Sequence, residues 1–315
     1  MKSITAVIPA RDEEAAESII SNISDFPFSE AVIITGKNPS IQRNEGVKEA
    51  AGEIIYFLDD DSVVNGGSVM RALKDFEADE NIAVVGGPAE YPASDTVMQK
   101  TFSLVLGSFL ASGKSRARYK GTGKKRYSGE KELILCNMFV KKDVFMDMKG
   151  FREELYPNEE NEFLNRLKRS GAKVLYDPDV YVNRSSRKNF IEFFRQCFSY
   201  GAGRANQMRV GFSPGDLVNT APVFFLIYLA LLPVYNPGFW WEIPLNIYLL
   251  CVLFFSAAAA LKLLNAGVFL YSMLAYPVCH ISYALGEIWG LVKGLFFKRK
   301  KPDTAVRVMK YGEEK

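Results

Sequence analysis

Histidine is almost absent from this 315-residue chain: His280 stands alone, inside an apolar stretch. The four cysteines, Cys136, Cys197, Cys251 and Cys279, form no Cys-x-x-Cys pair. Together these shortages argue against a Cys/His zinc site. The scattered cysteines read as reduced thiols rather than as a disulfide framework. Charge is the third shortage. Between residues 217 and 297 the only charged side chains are Glu242, Lys262, Glu287 and Lys293, so this stretch is no ordinary soluble surface. No apolar signal-peptide core opens the chain either. Met1-Lys2-Ser3-Ile4 runs straight into a strand-like segment, which leads us to expect a first domain that stays in the cytoplasm.

The net charge of +3 conceals strong segregation. Residues 1–112 carry 8 Lys/Arg against 18 Asp/Glu, whereas residues 113–131 carry 8 against 1. That basic, Gly-containing segment reads as a mobile loop. It is either a solvated linker or a strip that attracts phosphates and anionic lipids. No nucleic-acid partner is expected.

Short apolar runs alternate with helical patterns up to residue 182. Residues 4–10, 31–35, 53–58, 82–86, 133–140 and 173–176 read as strands. Residues 17–23, 40–51, 69–76 and 159–170 read as helices. Buried strands alternating with helices indicate an α/β sheet with much parallel pairing, and ligands of such sheets bind beyond the carboxyl ends of the strands. Two charged clusters fall at such ends: Arg11-Asp12-Glu13 and Asp59-Asp60-Asp61.

Further on, the pattern changes. Residues 189–208 place Phe190, Phe193, Phe194, Cys197 and Phe198 on one helical face, suiting a helix at a bilayer surface or one packed on the first domain. Residues 217–235 and 245–264 are 19 and 20 residues long, close to the roughly 20 needed to cross a bilayer core. Residues 267–297 make a longer apolar segment containing Pro277, His280 and Glu287. The spacing lets His280 and Glu287 share a face, either in an interhelical hydrogen bond or against a lipid phosphate. The basic run Lys298-Arg299-Lys300-Lys301 implies a cytoplasmic end, yet three crossings from a cytoplasmic start would place it outside. Either one segment does not cross, with Pro222 and Pro233 marking the first, or the charge rule fails.

Strand alternation turns Asp59 and Asp61 one way and Asp60 the other. Two like-facing carboxylates at a strand end can hold a hard divalent cation. An acidic loop that meets only water is the plainer reading.

The N-terminal part resembles a family 2 glycosyltransferase of the GT-A fold. The likeness rests on Val7-Ile8-Pro9-Ala10-Arg11-Asp12-Glu13-Glu14, Gln42-Arg43-Asn44-Glu45-Gly46, Ala51-Gly52-Glu53 and Leu58-Asp59-Asp60-Asp61. It continues in Gly150-Phe151-Arg152, Asn158-Glu159-Glu160, Arg166-Leu167 and Gly171, all in order within residues 4–182. Membrane-attached transferases of polysaccharide and lipid-linked glycan assembly are especially similar, and Arg195-Gln196-Cys197-Phe198-Ser199-Tyr200-Gly201 resembles the segment those enzymes carry next.

The resemblance implies a GT-A domain over residues 1–187, an interface helix and linker over 188–216, two or three transmembrane helices over 217–297 and a basic cytoplasmic tail over 298–315. It places Pro9, Ala10, Arg11, Glu13 and Asp59 at the nucleotide, with Asp60 beside them in the donor site. Arg43 and Asn44 fall near the diphosphate or donor sugar, and Asp61 on a bridging Mg2+ or Mn2+. A salt bridge for Arg43 and a helix-capping role for Asn44 are the plainer alternatives. Glu160 falls at the position of the general base. Both Glu159 and Glu160 could instead serve the N-terminal turn of the following helix, where negative charge is stabilised by roughly 0.3–1 kcal/mol.

Two departures bear on specificity. The second strand ends in Ile33-Ile34-Thr35-Gly36-Lys37-Asn38, without the carboxylate that usually meets the base, and leaves Thr35 as a weaker polar contact. The tryptophan of processive synthases is missing near Gln196, which favours addition of a single sugar. The expected protein is a multi-pass enzyme of the cytoplasmic membrane, with its catalytic domain on the cytoplasmic side among membrane lipids. It moves a sugar from a nucleotide-diphosphate donor to a hydroxyl of a polyprenyl- or other lipid-linked saccharide. A polyprenyl-phosphate acceptor and a non-catalytic nucleotide-binding scaffold are the alternatives.

Overall fold

The computed structural model describes residues 2–23, 28–212, 214–235, 238–296 and 304–311. The chain forms two compact units. One comprises residues 1–92, 114–185 and 300–315, the other residues 93–113 and 186–299.

The first unit opens with β1 (Ile4–Ala10), all seven residues buried, followed by α1 (Glu13–Ile23), β2 (Glu30–Gly36) and α2 (Pro39–Glu49). Asn38 starts α2 sharply: its Oδ1 accepts from the amides of Ser40 and Ile41, and Pro39 fills the first helical position. Next come β3 (Ile54–Phe57), the short β4 (Ser62–Val63), α3 (Gly66–Ala78), β5 (Ile82–Gly86) and β6 (Ala89–Glu90). After an excursion into the second unit through α4 (Val97–Leu106) and α5 (Phe109–Ser112), the chain returns. It then forms β7 (Arg126–Tyr127), β8 (Met138–Lys141), α6 (Lys142–Asp147), α7 (Glu159–Arg169), β9 (Lys173–Tyr176) and β10 (Val182–Arg184).

Alternation along the strands divides the core between the two sheet faces. Ile8, Ile33, Tyr56, Phe76 and Phe139 fill one side; Val7, Val32, Phe57, Phe145 and Phe163 fill the other. Tyr56 and Phe139, paired across β3 and β8, stack at 3.9 Å. The main sheet is mixed: β2, β1 and β3 are parallel, β8 runs against β3 and β5, and β9 lies parallel to β5. A small sheet of β4, β10 and β6 sits beside it in the chain's fold and carries Arg184 opposite Ser62.

The second unit continues with α8 (Phe190–Val210), a 3-10 turn over Pro214–Thr220, α9 (Ala221–Leu231), α10 (Phe239–Leu263) and α11 (Ala266–Phe296). Among the described residues, α10 and α11 are the helices long and apolar enough to cross a membrane. Residues 217–235, read from hydropathy as a 19-residue span, are instead a 3-10 turn and an 11-residue helix. Pro222 opens that helix and Pro233 follows its end, which accounts for its brevity. On α8, Phe190 and Phe193 pack their rings on Phe102 of α4, while the helix backbone lies against α11. A Cβ on Gly201 would overlap the carbonyl of Tyr283, and one on Gly286 the carbonyl of Phe198, so the two backbones touch. His280 bonds the Tyr248 hydroxyl at 3.0 Å and the Leu110 carbonyl at 3.1 Å, which is the interhelical role.

The tail brings a further difference. Its basic run, Lys298–Lys301, lies outside the described residues. Val306–Tyr311 then forms β11, antiparallel to β2 along all six residues. Val306 and Val308 pack on one face of the sheet and Met309 on the other. This alternation in a six-residue segment is too short to stand out from a charged tail by sequence.

Candidate active site

The acids following β3 divide between two partners, although they lie in a turn beyond the strand's end. Asp60 turns to Arg11, accepting from its backbone amide at 3.2 Å and from Nε at 3.0 Å. Asp59 and Asp61 turn to a shared partner, Arg184: Nη1 lies 3.1 Å from Asp59, and Nε lies 2.8 Å from Asp61. Two carboxylates around one cationic centre are a donor set that suits Mg2+ or Mn2+, whose other ligands come from water and phosphate oxygens. Among the described residues no three His, Cys, Asp or Glu side chains converge on a common point.

Asp59 has a second cation. Arg43, buried on α2, reaches Asp59 at 2.7 Å and Glu159 at 3.0 Å. This is the salt-bridge alternative. Glu159 opens α7 and is 1% exposed. Burial raises its carboxyl to about 7, with Arg43 opposing the shift and the neighbouring Glu160 adding to it. Glu160 is also buried, and its Oε1 lies 3.4 Å from Arg118. Arg118 further donates to Asn161 and to the Glu130 carbonyl. The basic segment is therefore tied down where a mobile loop was expected. Lys125 pairs with Asp75, and Arg126 pairs with Glu132 at 2.6 Å while covering the Tyr176 ring.

Asn44 takes a different place from the one expected. It exchanges two 2.9 Å hydrogen bonds with the backbone of Phe151 and donates to Glu153 at 3.1 Å. It braces the turn at Gly150, whose φ of +63° favours glycine and where a Cβ would press against Asn44. Pro9 and Ala10 end β1 as expected, with the Ala10 carbonyl accepting from Gln42. Glu13 pairs with Arg307 of β11. Sequence reasoning missed Arg184, Arg118 and Arg307, since each meets its acid only through the fold.

Residues 8–149 match the family model described as Glycosyl transferase family 2. Over this region, a little under half of its length, the chain is similar to the family 2 glycosyltransferases. The solved structure of the mannosyltransferase PcManGT from Pyrobaculum calidifontis, in complex with GDP-Man and Mn2+, is similar over 95% of this chain and 88% of its own, with a TM-score of 0.53 and 15% identity. At that identity the likeness speaks to the fold, which is the GT-A Rossmann-like α/β fold followed by helices. No curated protein matches the chain.

Proposed function

We propose that the protein is a membrane-bound, inverting glycosyltransferase that moves a sugar from a nucleoside-diphosphate donor to a hydroxyl of a lipid-linked saccharide. The observation carrying this reading is the Asp59–Asp61 pair at the end of β3, both carboxylates turned to one cation within a family 2 domain. A bound Mg2+ or Mn2+ supplies neutralisation of the charge that grows on the departing diphosphate. Pro9, Ala10, Arg11 and Glu13 border the nucleotide. Arg43 holds Asp59 in place from beneath. Glu160, positioned by Arg118, accepts the proton of the incoming hydroxyl as the new carbon–oxygen bond forms and the bond to phosphate breaks. The diphosphate leaves with the electron pair, and attack from the opposite face inverts the anomeric carbon.

Membrane attachment is supported by α10. Only 11% of its apolar window is buried, and Ile247, Leu250, Leu253, Phe254 and Leu261 face outward. A core helix of a soluble protein would bury that surface. The catalytic unit lies on the cytoplasmic side in this reading, among membrane lipids that bring the acceptor.

The test is a screen of nucleotide sugars, starting with GDP-mannose and UDP-hexoses, in Mg2+ or Mn2+ with lipid extract, followed by mass detection of the lipid product. Transfer to a saccharide hydroxyl is expected. Transfer to polyprenyl phosphate would replace the acceptor assignment, since an ionised phosphate needs no base. Absence of donor binding under all conditions would leave only a scaffold.

A further inference from the structure

The acid pair already holds a cation belonging to the chain. Arg184 ends β10, whose backbone is fixed by pairing with β4 on one side and β6 on the other. Its guanidinium spans both acids: Nη1 to Asp59 Oδ2 at 3.1 Å, Nε to Asp61 Oδ1 at 2.8 Å, and Nη2 to Asp61 Oδ2 at 3.3 Å. Arg43 is a different kind of partner. Its side chain is 6% exposed and bound to acids from two elements, so it is locked. The Arg184 side chain is 26% exposed, so it reaches solvent. The Cys136 thiol lies close by, and burial pushes it up to about 12, so it adds no negative charge.

We infer that Arg184 is the internal counter-cation of the Asp59–Asp61 pair, released from it when a divalent ion binds and then received by the diphosphate that arrives with that ion. This rests on the metal-dependent transfer proposed above. A divalent ion on both carboxylates and a guanidinium on the same oxygens exclude one another by like charge and by shared lone pairs. Once released, the guanidinium needs a new anion. Its planar fork matches phosphate oxygens, and its anchor on β10 keeps it at the rim of the pair. Metal alone must therefore break the Arg184 contacts without replacing them. Metal with diphosphate replaces them. The two ligands consequently strengthen each other's binding beyond their direct metal–phosphate contact, and this added coupling passes through one side chain.

Binding of Mn2+ alone, of GDP and UDP alone, and of Mn2+ with each nucleotide should be measured by calorimetry on the full-length protein in detergent, for wild type, Arg184→Gln and Arg184→Lys. With Arg184→Gln, Mn2+ alone is expected to bind about tenfold more tightly than to wild type, and nucleotide should enhance it less than in wild type. Arg184→Lys should lie between the two, because an ammonium is a point charge that cannot span both acids. It also carries the test if the Gln variant does not fold. Unchanged or weaker Mn2+ binding in variants that melt like wild type would overturn the role of Arg184 alone. Failure of wild type itself to bind Mn2+ and nucleotide together would overturn the transferase reading, and this inference with it.

Discussion

Glu159 and Glu160 are adjacent and chemically alike, yet their surroundings assign them different work. Glu159 is sealed beneath Arg43, while Glu160 faces Arg118. Because the folded-state value of Glu159 lies above that of an ordinary carboxyl, the folded chain retains a proton that the unfolded chain has released. Its contribution to stability is full at low pH and is lost as pH rises to about 7. Glu159→Gln should therefore gain in melting temperature relative to wild type between pH 5 and pH 8. An equal difference at both pH values would remove this titration. Glu160→Gln should retain donor binding and lose transfer by about 10²–10⁴-fold, the usual weight of a general base. Undiminished transfer to a hydroxyl acceptor would show that the proton goes elsewhere. Asp61→Ala should lose Mn2+-supported donor binding, as seen by titration with and without metal. At this scale the sequence marks groups that are contiguous, such as the acids of Asp59–Asp61 and Asn158–Glu160, which the structure gives buried or paired surroundings. The sequence is silent on Arg184, which is 123 positions from Asp61, because only strand pairing brings the two together.

At the scale of elements, periodicity found most strands and helices of the first unit, because buried strands and amphipathic helices differ in their repeat. Hydropathy alone overstated residues 217–235, where prolines set the helix length. Periodicity also placed the aromatic stripe of α8 without revealing that its rings would meet Phe102, or that the helix would lie against α11, some eighty residues later. That contact depends on glycine. Gly286→Ala would force a methyl against the Phe198 carbonyl, and overpacking of this kind costs about 1–3 kcal/mol. Thermal unfolding in detergent should show the loss. Gly294→Ala would instead meet the Arg209 side chain, a flexible neighbour, and should cost less. Equal effects would mean that α8 and α11 can separate freely.

For the whole molecule, β11 has a consequence for how often the chain passes through a bilayer. Hydrogen bonds from Val306–Tyr311 to Ala31–Gly36 join a segment made after the apolar helices to one made before them. A strand ladder cannot straddle lipid, so the number of passages between its two strands must be even. The 11 residues of α9 extend about 17 Å as a helix, well short of a hydrocarbon core of roughly 30 Å. In the membrane-bound reading proposed above, that leaves α10 and α11 as the expected pair of passages, one outward and one back. The conflict between a basic tail and a cytoplasmic start disappears, because it arose from counting three passages. With the native cysteines replaced by serine, a cysteine at Asn265, between the two helices, should react with an impermeant thiol reagent from the face opposite to one at Ser29. Labelling of both from the same face would break the parity argument. In that reading β11 is also a clasp: the sheet is complete only when the last strand has come back across the membrane to find the second.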